Sequence, residues 1–275
     1  MKEVKKWFVT ILVFLLAFVV FMPFVFMFSA SFKTMGQLNQ NALDLFVEGM
    51  GLQNYKEIFS LKDPSFLDYY LNSIKVVGIC VTVGIMTSSL AGYAFARIDF
   101  KGKNVIFLLY LATMMIPFQA IMVPQFIMFT KLNIYNTHWA LILPKLCTCF
   151  GTFMMRQYFM GLPVELSEAA KIDGANEIKT FTRVIFPLAK PSVATLGIIT
   201  FVWWWNDYEA PLIFLSKREL YTLPLALTNF VDDNGLQQDT MIITAAVCAL
   251  LPILIVFFVG QKYLIRGITS GSVKG

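Results

Sequence analysis

The sequence predicts an all-α, polytopic membrane fold: six transmembrane helices, both termini in the cytoplasm, and short cytoplasmic helices between spans. Three observations predict it. The 275 residues are 57% hydrophobic and only 14% charged, with a mean hydropathy of +0.68, where a soluble domain carries about 25% charged residues. Six stretches are long and apolar enough to cross a bilayer, which takes about 20 residues. The segments between them alternate between rich and poor in Lys and Arg, the asymmetry that orients membrane proteins.

Taken in order, residues 7–32 form a charge-free first span. The "SAS" at 29–31 resembles a secretory cleavage site. The apolar run before it exceeds the about 7–15 residues of a signal core, so an uncleaved span is expected. Residues 76–96 lie between Lys75 and Arg97, and residues 104–130 between Lys103 and Lys131. Residues 136–155 hold one charge, Lys145; residues 192–215 hold Asp207 and Glu209; residues 241–260 hold none. Together they are expected to make a single transmembrane domain over residues 1–275. Pro23, Pro117, Pro124, Pro144 and Pro252 fall inside these stretches. Each removes a backbone hydrogen bond and bends a helix. Proline is common in membrane helices generally, and broken helices are typical of transporters, where irregular backbone borders protein or a wet cavity.

Charge sets the orientation. With six spans, both termini share a side, and that side carries Lys2, Lys5, Lys6, Arg97, Lys101, Lys103, Arg156, Lys171, Lys179, Arg183, Lys190, Arg266 and Lys274. The other side carries Lys33, Lys56, Lys62, Lys131, Lys217 and Arg218. The termini and residues 156–190 are therefore expected in the cytoplasm, and residues 33–74 and 216–239 outside. The net charge of +5 is accounted for by this anchoring in the lipid bilayer, and no nucleic-acid partner is expected.

Little points to catalysis. Cys80, Cys147, Cys149 and Cys248 all lie in apolar runs, and residues two apart on a helix face different ways, so structural thiols are expected rather than a metal or redox site. His138 is the single histidine and reads as an interfacial polar residue. No G-x-x-x-x-G-K-[ST] phosphate loop is present, so the chain should not bind ATP itself. No nucleophile–base set is evident.

One stretch stands apart: "ELSEAAKIDGANEIKTFTRVIFPLAKP", residues 165–191, a charged insert between apolar runs. Pro163 suits a first helical position. Good helix formers follow over 164–173, Gly174 stops them, and Asn176 caps a second helix over 177–186 that ends before Pro187. Each helix is ~15 Å long. Leu166, Ala169, Ala170 and Asp173 share a stripe on the first, where two adjacent alanines admit a close neighbour. Ile178, Phe181 and Ile185 make an apolar stripe on the second. Such a hairpin either lies flat on the membrane or docks a cytoplasmic subunit.

These residues carry a resemblance. The permease subunits of ATP-binding cassette importers have a cytoplasmic loop of pattern E-A-A-x(3)-G-x(9)-I-x-L-P. Here Glu168, Ala169, Ala170, Gly174, Val184, Phe186 and Pro187 stand at those spacings, with Val and Phe as apolar departures. "NSIKVVGICVTVGIMTSSLAGYAFARIDFKGK" at 72–103, "WWWNDYEAPLIFLS" at 203–216 and "GSVKG" at 271–275 are similar to carbohydrate importers of the maltose-transporter type, and the ending to their G-subunit permease. The resemblance implies a heterodimeric pore with a second permease, two cytoplasmic ATPase subunits that hold ATP and Mg, an extracellular solute-binding protein, and no cofactor in this chain. It implies a coupling loop at about 157–190 in which Glu168, Ala169, Ala170, Asp173, Gly174, Ile178 and Phe181 meet the ATPase. It also implies a C-terminal tail, with Ser272, Val273 and Lys274, that reaches toward the ATPase pair.

The substrate path is expected among Lys145, Trp205, Asn206, Asp207 and Tyr208. Sugars need flat aromatic faces and amide or carboxylate partners, although tryptophans at an interface also form an aromatic belt. At ~1.5 Å per residue, Lys145 lies ~16 Å and Asp207 ~25 Å from the inner end of its span. An ionisable group at such depth is costly unless paired or wet. Lys145 is expected to pair with Asp207 or with an acid of the partner, to attract an anionic substrate, or to snorkel outward. The sequence leaves open an importer of the same architecture for a non-sugar solute such as a glycerol phosphate, a stand-alone ion-coupled carrier, and a membrane scaffold.

Overall fold

The computed structural model describes residues 2–40, 43–62, 64–228, 230 and 239–272. Among them every regular element is helical, as expected. Three helical segments are long and apolar enough to cross a membrane unaided: Lys5–Ala30, Phe66–Arg97 and Asp239–Tyr263. Two bent pairs would raise the count to five if each were one span: Lys103–Met115 with Phe118–Lys131, bent by 96°, and Glu177–Leu188 with Lys190–Trp205, bent by 76°.

The stretches that hydropathy treats as single spans are broken, and the causes are local. In residues 104–130 the break falls at Ile116–Pro117. Pro117 lacks an N–H and disfavours helical backbone at the residue before it, and Ile116 is extended (φ −83°, ψ 113°). Residues 136–155 hold three pieces: His138–Ile142, a 3-10 turn at Leu143–Lys145 with Pro144 in its first turn, and Cys149–Met160. Thr148 caps the last piece, its Oγ1 accepting from the Gly151 N–H at 2.9 Å. In residues 192–215 the helix Lys190–Trp205 stops, and Glu209–Phe214 begins after a three-residue gap. The helix Phe66–Arg97 starts well before residue 76, because Tyr69, Tyr70 and Asn72 extend it although they dilute its hydropathy.

By compactness the chain divides into two units, residues 1–68 with 226–251, and residues 69–225 with 252–275. In the first, the apolar side chains from Trp7 to Phe21 are exposed on every face of their helix, the surface of a helix that meets lipid or protein rather than water. The chain beyond that helix is pinned by polar contacts. Asn54 Nδ2 donates to the Ser31 and Lys33 carbonyls at 2.9 and 2.8 Å, and Thr244 Oγ1 to the Ser31 carbonyl at 3.2 Å. Lys33 is 1% exposed, and its Nζ donates to the Asp44 carbonyl at 2.5 Å, the kind of partner a buried ammonium requires.

Among the described residues, the second unit holds two cores. One gathers Tyr93, Met155, Phe159, Phe181, Ile185, Ala189 and Leu196, and so ties the 165–188 loop to the helices on either side of it. Gly92 makes that packing close: a Cβ there would lie 2.8 Å from Met155 Cβ and 2.9 Å from the Arg156 nitrogen. Small residues serve this purpose in membrane helix pairs. The other core gathers Val76, Cys80, Phe129, Leu141, Ile142, Ala210 and Phe214, and it positions the broken ends of three stretches.

Candidate functional site

The 165–188 loop is a helical hairpin. Its first helix is Glu165–Ile172. Gly174 has φ +77°, the left-handed conformation that closes a helix. The Gly174 N–H donates to the Lys171 carbonyl at 3.0 Å and the Ala175 N–H to the Ala170 carbonyl at 2.9 Å. Asn176 then caps the second helix, its Oδ1 accepting from the Lys179 N–H at 2.9 Å.

The second helix departs from expectation. It runs Glu177–Thr180, widens into a π-helical turn at Phe181–Ile185, and continues through Pro187 as Phe186–Leu188. Proline normally clashes with the carbonyl four residues back; the wider turn accommodates it. The expected apolar stripe is also split. Phe181 and Ile185 are buried, whereas Ile178 is 73% exposed. The first helix divides too: Ala170 is buried, while Glu168, Ala169 and Asp173 are exposed. With Ile172, which is 86% exposed and was not anticipated, the hairpin's outer surface is Glu168, Ala169, Ile172, Asp173, Gly174 and Ile178.

What braces the hairpin was not visible in the sequence. Tyr93 Oη donates to Glu177 Oε2 at 2.8 Å, and Lys171 Nζ lies 2.7 Å from Glu177 Oε1. The hydrogen bond from Lys171, and then that from Tyr93, hold the Glu177 carboxyl below the usual carboxylate range. Arg97 Nη2 donates to the Phe159 and Leu162 carbonyls at 2.8 and 2.5 Å, at the C-terminal end of the helix Cys149–Met160. Of the tail residues, Ser272 is the last described residue of the helix Asp239–Ser272; Val273 and Lys274 lie outside the described residues.

A second cluster lies at the helix breaks. Lys145 Nζ is paired with Asp207 Oδ2, the side chains being 16% and 19% exposed. Asp207 Oδ1 also accepts from the Ala210 N–H at 3.3 Å, so one carboxylate neutralises the lysine and opens the next helix. The other expected path residues do not converge with this pair. Trp205 is 2% exposed and packs against Phe201 and Tyr70, ring centroids 5.4 and 5.7 Å away. Asn206 is exposed, with Nδ2 bonded to the Val202 carbonyl of its own helix at 2.8 Å. Tyr208 is exposed. Beside the ion pair is a cavity of about 380 Å³ lined by Phe118, Gln125, Pro144, Glu209 and Phe214 among others. His138 is buried, with Nε2 2.9 Å from the Leu220 carbonyl.

Residues 84–270 match the family described as binding-protein-dependent transport system inner membrane component. Over 274 residues the sequence is 35% identical to the arabinooligosaccharides transport system permease protein AraQ of Halalkalibacterium halodurans, covering 99% of this chain and 98% of that one. The chain belongs to this family of inner membrane transport components. This permease is also 32% identical to the melibiose/raffinose/stachyose import permease protein MelC of Bacillus subtilis, over 97% of this chain and 96% of that one. Its fold is that of a chain in the crystal structure of a bacterial ABC transporter involved in the import of the acidic polysaccharide alginate. The TM-score is 0.85 at 23% identity, covering 95% of this chain and 96% of the other. The permease thus belongs among transport channels rather than enzymes.

Proposed function

We propose that this permease is a membrane-spanning subunit of an ATP-driven carbohydrate importer, with an oligosaccharide as its solute. It crosses the plasma membrane six times with both termini in the cytoplasm, forms the path with a second permease, and receives solute from an extracellular binding protein. ATP and Mg reside in two cytoplasmic ATPase subunits. The single observation that carries the coupling is the split surface of the 165–188 hairpin. One side is locked into the core by Phe181 and Ile185, and the other presents Ile172 and Ile178 on either side of Gly174. Exposed apolar residues grouped at the tip of a braced protrusion mark an interaction site. The full-length relatives named for oligosaccharide transport support the solute class.

The test is reconstitution with the candidate ATPase and the second permease. Ala169→Trp should abolish co-purification of the ATPase and ATP-driven oligosaccharide uptake into proteoliposomes. Ala169 is exposed in this chain, so the bulk costs the hairpin nothing and a loss reports the partner's surface. Normal docking and uptake in Ala169→Trp would leave the hairpin a membrane-surface element.

A further inference from the structure

The cavity beside Lys145 and Asp207 has features that neither the hairpin nor the packing of the spans accounts for. Three helix breaks meet there: Phe118 opens the helix after the Pro117 break, Pro144 and Lys145 lie in the 3-10 turn, and Asp207 and Glu209 flank the start of the helix after Trp205. Broken backbone within membrane-spanning stretches persists where it lines a cavity. The volume, about 380 Å³, falls in the ~300–1,000 Å³ range of small-molecule pockets.

The polar groups that line it are mostly acceptors. Gln125 Oε1 is buried without a hydrogen-bond partner in the chain, and an acceptor left so is costly unless something donates to it. Glu209 and Asp207 add carboxylates, the first taking a hydrogen bond from Gln119 Nε2 at 3.0 Å. The one cation lining the cavity, Lys145, is neutralised by Asp207, which leaves the Glu209 charge uncompensated within the lining. A wall rich in acceptors and net negative matches a solute that brings hydroxyl donors and no negative charge. Apolar rings of Phe118 and Phe214 line the same space.

We infer that this cavity, framed by Gln125, Glu209 and the Lys145–Asp207 pair, is a solute subsite in this subunit that takes neutral, hydroxyl-rich molecules and excludes anionic ones. The inference rests on the carbohydrate-importer reading and narrows its substrate class to uncharged sugars. Gln125 accepts a solute hydroxyl, Glu209 repels carboxylates and phosphates, and Lys145 holds Asp207 rather than an anionic solute.

The experiment is equilibrium binding to the complex of both permeases and the ATPase pair, without the solute-binding protein, with three probes: a neutral oligosaccharide, the same oligosaccharide carrying a uronate, and glycerol phosphate. The wild type should bind only the first. Gln125→Leu should raise its dissociation constant about fivefold, the loss of roughly one hydrogen bond. Gln125→Asn, which keeps the amide but withdraws it, should shift it in the same direction. Glu209→Gln should admit the uronate. Co-purification with the partner subunits checks that each variant assembles. An unchanged dissociation constant in both Gln125 variants, or continued exclusion of the uronate by Glu209→Gln, overturns the subsite while leaving a sugar importer. A wild type that binds glycerol phosphate and no sugar overturns the carbohydrate reading and the subsite with it.

Discussion

Lys145 and Asp207 form an ion pair in spans that are otherwise almost free of charge. Removing one partner of a buried pair leaves the other uncompensated, at a cost of about 3 kcal/mol. Lys145→Met should therefore cut uptake and lower the midpoint of thermal unfolding of the complex. Adding Asp207→Asn should restore part of that midpoint; a double variant no more stable than Lys145→Met would mean that the pair is not coupled. Glu177 offers a second test at this scale. Lys171 and Tyr93 depress its folded-state carboxyl, so its contribution is present above the unfolded carboxylate range and lost as pH falls through the folded value. Once the pH drops below the usual carboxylate range, function of the wild type should fall more steeply than that of Glu177→Gln, which keeps a partner for Tyr93 and lacks the titration. The Lys145 anomaly was visible in the sequence because a lone charge in an apolar run has few explanations. The Tyr93–Glu177 and Arg97–Phe159 contacts were not, because each joins residues far apart in the chain.

At the scale of elements, the hairpin was legible where its signals are local. Gly174 ends one helix and Asn176 begins the next, both by backbone chemistry confined to a few residues. The π-turn at Phe181–Ile185 was not legible, because it depends on where Phe181 and Ile185 find buried space. Hydropathy likewise located the apolar stretches but not their breaks, since Pro117 and Pro144 interrupt the helices without reducing the apolar content around them. The split stripe gives a sharp contrast between adjacent alanines. Ala170→Trp strikes a buried position and should disorder the hairpin, seen as new proteolytic cleavage near residue 174. Ala169→Trp should leave the cleavage pattern unchanged. Equal protection in both would contradict the burial of Ala170.

At the scale of the whole molecule, the all-helical class was legible from composition, and the six-span topology with cytoplasmic termini stands as a proposal. Exposed Cys147 would react with thiol reagents, so labelling belongs in a Cys147→Ser background. A cysteine at exposed Gln53 should then be labelled by an impermeant reagent from outside, and one at exposed Lys179 only from inside; the reverse pattern would invert the orientation. Deleting residues 270–275 should reduce solute-stimulated ATP hydrolysis more than assembly, and full stimulation without them would leave the tail no part in coupling. The central claim is that the hairpin transmits the ATPase's work to the spans. Moving a two-state pore from 1:99 to 99:1 takes about 5.5 kcal/mol of differential binding, and that work passes through a contact. The most direct measurement is ATP hydrolysed per oligosaccharide imported by the reconstituted complex carrying Gly174→Val. A β-branched residue is strained at φ +77°, although the space around Gly174 is open. The substitution therefore displaces the hairpin tip without filling any contact. The expected result is an assembled complex whose ratio rises severalfold as uptake falls and hydrolysis persists. A wild-type ratio with wild-type uptake would contradict it.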